Sequence, residues 1–295
     1  MSSTELTTIA QPPAKKRSQW VAVWKRLKRN KSAMVGLYIL IALVFIAIFA
    51  NFLAPFDYDQ QALQNRFQTP NATHWFGTDQ FGRDIMSRII YGSRVSLQVG
   101  FIAVSIAAIV GGALGAISGF YGGKLDNGIM RVMDILLAVP NILLAISIVA
   151  TLGPGLTNVM IAVGIGSIPG YARIVRASVL TVRDQEFVEA ARSVGTGDFR
   201  IIVKHILPNA MAPIIVQATL GVAGAILSAA GLSFIGLGIQ PPAPEWGAML
   251  SDGRAFLRDS PHVTTFPGLA IMIVIFALNL LGDGLRDALD PRLKD

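Results

Sequence analysis

Long apolar stretches alternate with short charged ones along this chain. Six mostly apolar windows of 17 or more residues contain no Asp, Glu, Lys or Arg: Met34 to Leu53, Val95 to Phe120, Ile135 to Leu152, Leu156 to Ala172, Ala212 to Phe234 and Thr264 to Leu281. A helix rises about 1.5 Å per residue, so about 20 apolar residues cross the hydrocarbon of a bilayer with every backbone polar group satisfied internally. The pattern predicts an all-α integral membrane protein with six transmembrane helices over residues 34–281.

Smaller features refine the spans. Spans three and four are joined only by Gly153-Pro154-Gly155, which predicts a tight antiparallel hairpin. Gly111, Gly115 and Gly119 form a small-residue stripe that lets another helix approach closely. Pro140 and Asn141 predict a kink inside the third span, either beside a transport pathway or satisfied by a neighbouring helix. Trp20, Val23, Trp24 and Leu27 lie at i, i+3, i+4 and i+7, so residues 20–33 read as an interfacial amphipathic helix, the alternative being a basic tail anchored by charge. Residues 1–19 read as a disordered cytoplasmic tail.

Composition agrees: 53% of the 295 residues are hydrophobic and 15% are charged, against about a quarter charged in a soluble domain. A net charge of +7 in a soluble protein would suggest nucleic acid, but here its distribution follows membrane topology, and no nucleic-acid partner is expected. Of the 25 Lys and Arg, 19 lie in the N-terminal tail, the 121–134 loop, the 173–211 loop and the C-terminal tail at 282–295. The other side, loops 54–94 and 235–263, has 6. The positive-inside rule then places both termini in the cytoplasm and those two loops outside. The first apolar run is too long for a signal-peptide core and follows 33 residues, so it is expected to be a span.

Several chemistries are excluded. There is no Cys, and His74, His205 and His262 are far apart in sequence, so no metal site is expected. No HExxH or GxSxG occurs, and Gly122-Gly123-Lys124-Leu125 lacks the Ser or Thr of a phosphate loop. No catalytic residue, and hence no enzyme, is expected in this chain. The windows hold no carboxylate or His, whereas carriers that couple an ion to a substrate place titratable groups at membrane depth. Arg131, Asp134 and Asp283 flank the spans and read as interfacial caps or loop ion pairs. Uphill transport would draw its energy from a partner.

Residues 173–211 form the largest predicted cytoplasmic loop. Asp184 is placed to cap a helix through Gln185 to Val194, with Phe187, Ala190, Ala191 and Val194 on one face and Gly195 ending it. Asp198 is placed to cap a second, with Phe199, Ile202, Val203 and Ile206 on one face, stopped by Pro208. The hinge is Gly195-Thr196-Gly197. Small Ala190 and Ala191 permit close approach of another protein; the alternative is a helix pair packed on the inner membrane face.

Glu189-Ala190-Ala191, Gly195 and Ile206-Leu207-Pro208 resemble the EAA motif of ABC-importer permease subunits, whose short helix docks in a cleft of the ATPase. GTDQFGRD (Gly77 to Asp84), QPPAPEWGAML (Gln240 to Leu250), FPGLAI (Phe266 to Ile271) and NLLGDGLRDALDPRL (Asn279 to Leu293) are similar to the C-type permease of dipeptide and oligopeptide importers. The resemblance runs from about Lys25 to Leu293. It implies a type I ABC-importer transmembrane domain with a MetI-like core in the bacterial cytoplasmic (inner) membrane. The implied partners are a homologous B-type permease, two cytoplasmic ATPase subunits, an external substrate-binding protein, membrane lipid and a peptide substrate. ATP and Mg would be bound by the ATPases, and no cofactor by this chain.

By the same resemblance Glu189, Ala190, Ala191, Gly195, Leu207 and Pro208 would form the ATPase-coupling contact. Arg192 and Arg200 are candidate ionic partners of the ATPase or of lipid phosphates. Glu245 and Trp246 follow a stiff run holding Pro241, Pro242 and Pro244 and are candidates for binding-protein contact; Trp246 is alternatively a belt or packing residue. Asp79 and Asp84 read as helix caps, with Arg83 able to pair with either. A di- or oligopeptide is the implied cargo, with glutathione or a nickel chelate as alternatives. A stand-alone channel or secondary carrier is the rival from another class.

Overall fold

The computed structural model describes residues 19–290. The predicted tail up to residue 18, and the last five residues, lie outside the described residues, and Gln19 opens the first helix. Apart from one isolated bridge between Thr78 and Asp84, the regular elements described are helical. Short α1 (Gln19–Arg29) leads through Asn30, whose side chain accepts from the Ala33 amide at 3.1 Å, into α2 (Lys31–Ile48) and one-turn α3 (Ala50–Leu53). Then come α4 (Ile85–Tyr121), α5 (Gly123–Ala138), α6 (Asn141–Leu152), α7 (Leu156–Leu180) and α8 (Glu186–Ser193). The chain ends through α9 (Asp198–Ile201), α10 (Leu207–Phe234), α11 (Trp246–Gly253) and α12 (His262–Leu289).

Among the described residues, five helices are long and apolar enough to cross a membrane: α2, α4, α7, the continuous run from Asp198 to Phe234, and α12. The third apolar window departs from the six-span pattern, because it is a break and not one kinked helix. Helices α5 and α6 meet there at 88°. Pro140 has no amide to donate and drives Val139 before it into extended backbone (φ −89°, ψ 127°). With 12 residues, about 18 Å, α6 is too short to cross alone. A sixth crossing exists only if the bent pair counts as one span.

Helices also overrun the apolar windows. The first turns of α4 occupy part of the predicted outer loop 54–94, α7 continues past Ala172 to Leu180, and α12 runs through the predicted tail to Leu289. Charged residues therefore sit on the helices themselves. A charge-free window marks where hydrocarbon is, not where hydrogen bonding stops.

The glycine stripe lies in the most extensive helix contact. A Cβ on Gly111 would lie 2.5 Å from the Ile168 carbonyl oxygen and one on Gly115 would lie 2.3 Å from that of Ala172, so α4 and α7 run side by side, nearly backbone on backbone. On the other flank α2 runs antiparallel to α12, with Gly36 against Ala277 and Ala33 against Gly284. Between these pairs lies an apolar core that includes Val99, Ala103, Val163, Val222, Ile226 and Val274. Helix α1 is not set apart from the bundle: Leu27 is buried with Ala33 and Ala288 at the end of α12, while Val21 and Trp24 stay exposed.

Residues 54–84 fold back over the bundle end formed by α11 and the start of α12. Phe76 stacks on Phe266 (centroids 4.2 Å apart), and His262 Nε2 lies 3.3 Å from the Thr78 carbonyl. Asp84 caps α4, accepting from the Ser87 amide at 2.7 Å. Asp79 caps no helix. Its carboxylate accepts from the amides of Phe81 and Arg83 and from Arg83 Nε at 2.6 Å, which fixes a tight turn and claims Arg83 for itself.

Candidate coupling surface

Helix α7 ends at Leu180 and the chain turns through residues 181–185. Arg183 Nη1 donates to the Gly119 carbonyl at 2.9 Å, tying this turn to the end of α4. Asp184 pairs with Arg183 Nε at 3.2 Å and caps nothing; Gln185 stands at the N-cap of α8 without a side-chain capping bond, its Nε2 donating back to the Thr181 carbonyl at 3.2 Å. Likewise Gly197, not Asp198, is the N-cap of α9, and Asp198 lies in the first turn, where a negative charge suits the helix dipole.

The predicted apolar face of α8 is split. Val188 and Ala191 point inward and are buried with Phe120 of α4, Val175 and Val179 of α7, and Ile201 and Ile206. Glu189, Ala190, Arg192 and Gly195 are exposed. So one alanine of the pair rests on the spans and the other faces away. The helix closes in a Schellman arrangement: the Gly195 amide donates to the Arg192 carbonyl at 2.9 Å and the Thr196 amide to that of Ala191 at 3.1 Å. This needs left-handed backbone, and Gly195 has φ +77°. A Cβ there would meet nothing within 4 Å, so the position opens outward.

Pro208 does not stop the second helix. The chain passes through a wide turn, Ile202–Ile206, in which the Leu207 amide bonds back to the Ile202 carbonyl, and continues as α10. Lengthening the ladder by one residue lets the helix absorb a proline that has no amide. Ile206 is fully buried, Leu207 partly so, and Pro208 is exposed.

Outward, Val194 and Phe199 are each 80% exposed, flanked by exposed Glu189 and Arg200. Arg192 leans over the Phe120 ring at 5.2 Å, which gives it a partner within the chain. An exposed apolar pair with charges at its rim, carried on a helix whose inner face is packed on two spans, suits protein docking.

Pro140 and Asn141 are both exposed at the break between α5 and α6. Glu245 and Trp246 do not face outward, so neither is placed for binding-protein contact. Glu245 is 3% exposed and caps α11, its two carboxylate oxygens accepting from the amides of Gly247 and Ala248 at 2.9 and 2.8 Å. Trp246 is 1% exposed, donates from Nε1 to the Ile89 carbonyl at 3.1 Å and packs against Gly92. Glu245 thus closes the start of α11, and Trp246 pins that helix to α4.

Two ion pairs escaped the linear pattern. Arg176 of α7 grips Asp126 of α5 through Nε and Nη2, both at 2.6 Å, and Ser118 of α4 donates to the same carboxylate. Nearer the break, Arg173 Nη2 lies 2.5 Å from Asp134. The signal was Arg173 and Arg176, three apart on one helix face, matched by Asp126 and Asp134 two turns apart on another.

The family model described as "Binding-protein-dependent transport system inner membrane component" matches residues 111–295. That described as the "N-terminal TM domain of oligopeptide transport permease C" matches residues 18–70. The chain is 54% identical to the dipeptide transport system permease protein DppC of Alkalihalophilus pseudofirmus, over 94% of this chain and 91% of that one. It is 49% identical to the glutathione transport system permease protein GsiD of Escherichia coli O6:K15:H31, over 96% and 93%. Among solved structures, a chain of the inward-facing MetNI methionine ABC transporter shares the fold with a TM-score of 0.58 at 19% identity, covering 70% of this chain and 98% of that one.

Proposed function

Because the chain belongs to the family of binding-protein-dependent transport system inner membrane components, we propose that it is the C-type permease of an ATP-driven importer of dipeptides or oligopeptides. It is a non-catalytic inner-membrane component, and the ATP and Mg belong to its partners. Those partners are a B-type permease, two ATPase subunits docking on the surface around α8, and an external protein that delivers the substrate. The observation that carries this reading is the two-sided α8: Val188 and Ala191 are seated on α4 and α7, while Glu189, Ala190, Val194 and Phe199 are left open.

Six crossings with both termini cytoplasmic fit this role. The bent pair follows α7 from Arg176, met by Asp126, to Leu156 beyond the Gly153-Pro154-Gly155 turn, so α5 and α6 together cover the length of one spanning helix. Closure of the ATPases on ATP would push α8, and its packing would carry the movement into α4 and α7, exposing the pathway first to one side and then to the other. Glutathione, itself a small peptide, is a second reading favoured by the 49% identity to the glutathione permease.

The test is reconstitution with the partner subunits in liposomes. Uptake of a dipeptide that requires both ATP and the binding protein is the expected result. Movement of peptide through this chain alone, without ATP, would replace the proposal with a channel or carrier.

A further inference from the structure

The open faces of the spans differ in chemistry. Along α2 the exposed residues Tyr38, Ile41, Phe45 and Ile48 are large and largely apolar, as hydrocarbon requires. Helix α7 is the most enclosed span, with 61% of its apolar window buried. Its exposed residues are Thr157, Arg173 and Ala177, none of them large and apolar, whereas Ile161, Ile165 and Ile174 are only partly open. Gly170 is partly exposed, and a Cβ added there would meet nothing within 4 Å, while Arg173 and Ala177 are exposed on the same side. Arg173 and Asp134 stand half in the open, with side chains 53% and 47% exposed.

Their depth follows from the helix contact. Ala172, next to Arg173, has its carbonyl against Gly115, inside the charge-free stretch of α4 from Val95 to Phe120. Gly115 lies near the end of that stretch, at the edge of the hydrocarbon, where an exposed ion pair is still unfavourable against lipid, and charged groups in spans accordingly face water or protein. Six residues after Asp134 comes the break at Pro140, so this face also holds backbone that is not helical, which membranes tolerate where it lines a cavity.

We propose that this face lines the translocation path and that Asp134 and Arg173 form a subsite for the two charged ends of a peptide. The inference rests on the importer reading above. Empty, the pair neutralises itself. Occupied, the guanidinium takes the terminal carboxylate in the two-pronged geometry it favours, and the Asp134 carboxylate takes the terminal ammonium. One internal pair is exchanged for two, so neither the protein nor the zwitterion strands a charge at depth. Recognition of the termini alone tolerates any side chain.

The chain has no Cys, so a single introduced thiol reports its own surroundings. In the assembled complex in membranes, Gly170→Cys is expected to react with a charged methanethiosulfonate reagent, more slowly during dipeptide transport, and Ile41→Cys to stay unreacted. Arg173→Gln and Asp134→Asn are expected to assemble normally and to lower dipeptide uptake per ATP hydrolysed by roughly tenfold or more, the loss of one charge-assisted bond. An unreactive Gly170→Cys would mean that lipid or the second permease covers this face, and overturns the proposal. Unchanged uptake by both charge variants overturns the subsite. So does loss of assembly in each single variant with recovery in the exchanged pair Asp134→Arg, Arg173→Asp, which would make the pair a brace. If the unmodified complex takes up no peptide at all, the importer reading itself has failed; uptake with indifferent variants sinks only the subsite.

Discussion

Arg176 and Asp126, 50 positions apart in sequence, are joined by two hydrogen bonds of 2.6 Å, and Ser118 donates to the same carboxylate. Three helices, α4, α5 and α7, thereby meet at one group just below the α8 surface. Removing the carboxylate leaves a guanidinium and a hydroxyl facing each other in a partly closed site. Asp126→Ala is expected to destabilise the protein by about 1–3 kcal/mol, with Asp126→Asn milder. Thermal unfolding in detergent checks this, and an unchanged midpoint for Asp126→Ala would show that the junction carries no stability.

Gly195 separates a backbone effect from a surface effect. Gly195→Ala adds a methyl into open space and costs only the left-handed conformation, about 1 kcal/mol. ATPase co-purification should survive it. Gly195→Arg adds a long cation to the outward surface between Val194 and Phe199 and is expected to abolish co-purification while the protein still inserts. Equal behaviour of the two variants would refute docking at this surface.

Gly115 leaves no such freedom. A Cβ there would lie 2.3 Å from the Ala172 carbonyl oxygen and 3.0 Å from the Arg176 amide nitrogen, both backbone atoms. Gly115→Leu must push α4 and α7 apart, at a cost of about 1–3 kcal/mol or more. The yield of folded protein in detergent should fall sharply, whereas Gly128→Leu, where a Cβ meets nothing within 4 Å, should leave it unchanged.

Burial pushes the Glu245 carboxyl above its ordinary range, with the Gly247 and Ala248 amides pulling the other way, and burial also raises Asp252. A carboxyl that holds its proton more tightly when folded adds stability that is complete below its ordinary range. That stability is lost as the pH rises through the raised value. Thermal stability is therefore expected to decline as the pH rises from about 4.5 toward neutrality. Glu245→Gln keeps a capping oxygen without a charge and should flatten part of the decline, Asp252 supplying the rest. An identical pH profile in wild type and variant would count against a buried, raised Glu245.

Much of the fold was legible because membrane insertion writes itself into composition. Hydrocarbon forbids charge and demands internal backbone bonding, so the windows around Met34, Val95, Leu156, Ala212 and Thr264 each fell on a helix, and the Gly111, Gly115, Gly119 stripe fell on a helix contact. Reading helix ends from charge failed at Ala172, since Arg173 and Arg176 continue α7 by bonding to partners on α5. Caps inferred from spacing failed at Asp184 and Asp198, because a nearby Arg183 and the backbone at Gly197 competed for those roles. The helix carrying Glu189, Ala190 and Ala191 was legible, but periodicity grouped Ala190 with Ala191, which the packing against Phe120 and Val179 separates.

The sequence by itself determined which segments can live in hydrocarbon, where left-handed turns are needed and which short helix carries Glu189, Ala190 and Ala191. These depend on local properties: transfer free energy, proline's missing amide and glycine's missing Cβ. Only the tertiary structure decided that Pro140 breaks its span rather than bending it, that Trp246 is a buried pin rather than an outward anchor, and that Asp134 faces Arg173. Those outcomes depend on which groups distant in the chain are brought together to satisfy a charge, a donor or a surface, and no window along one strand of residues contains both partners.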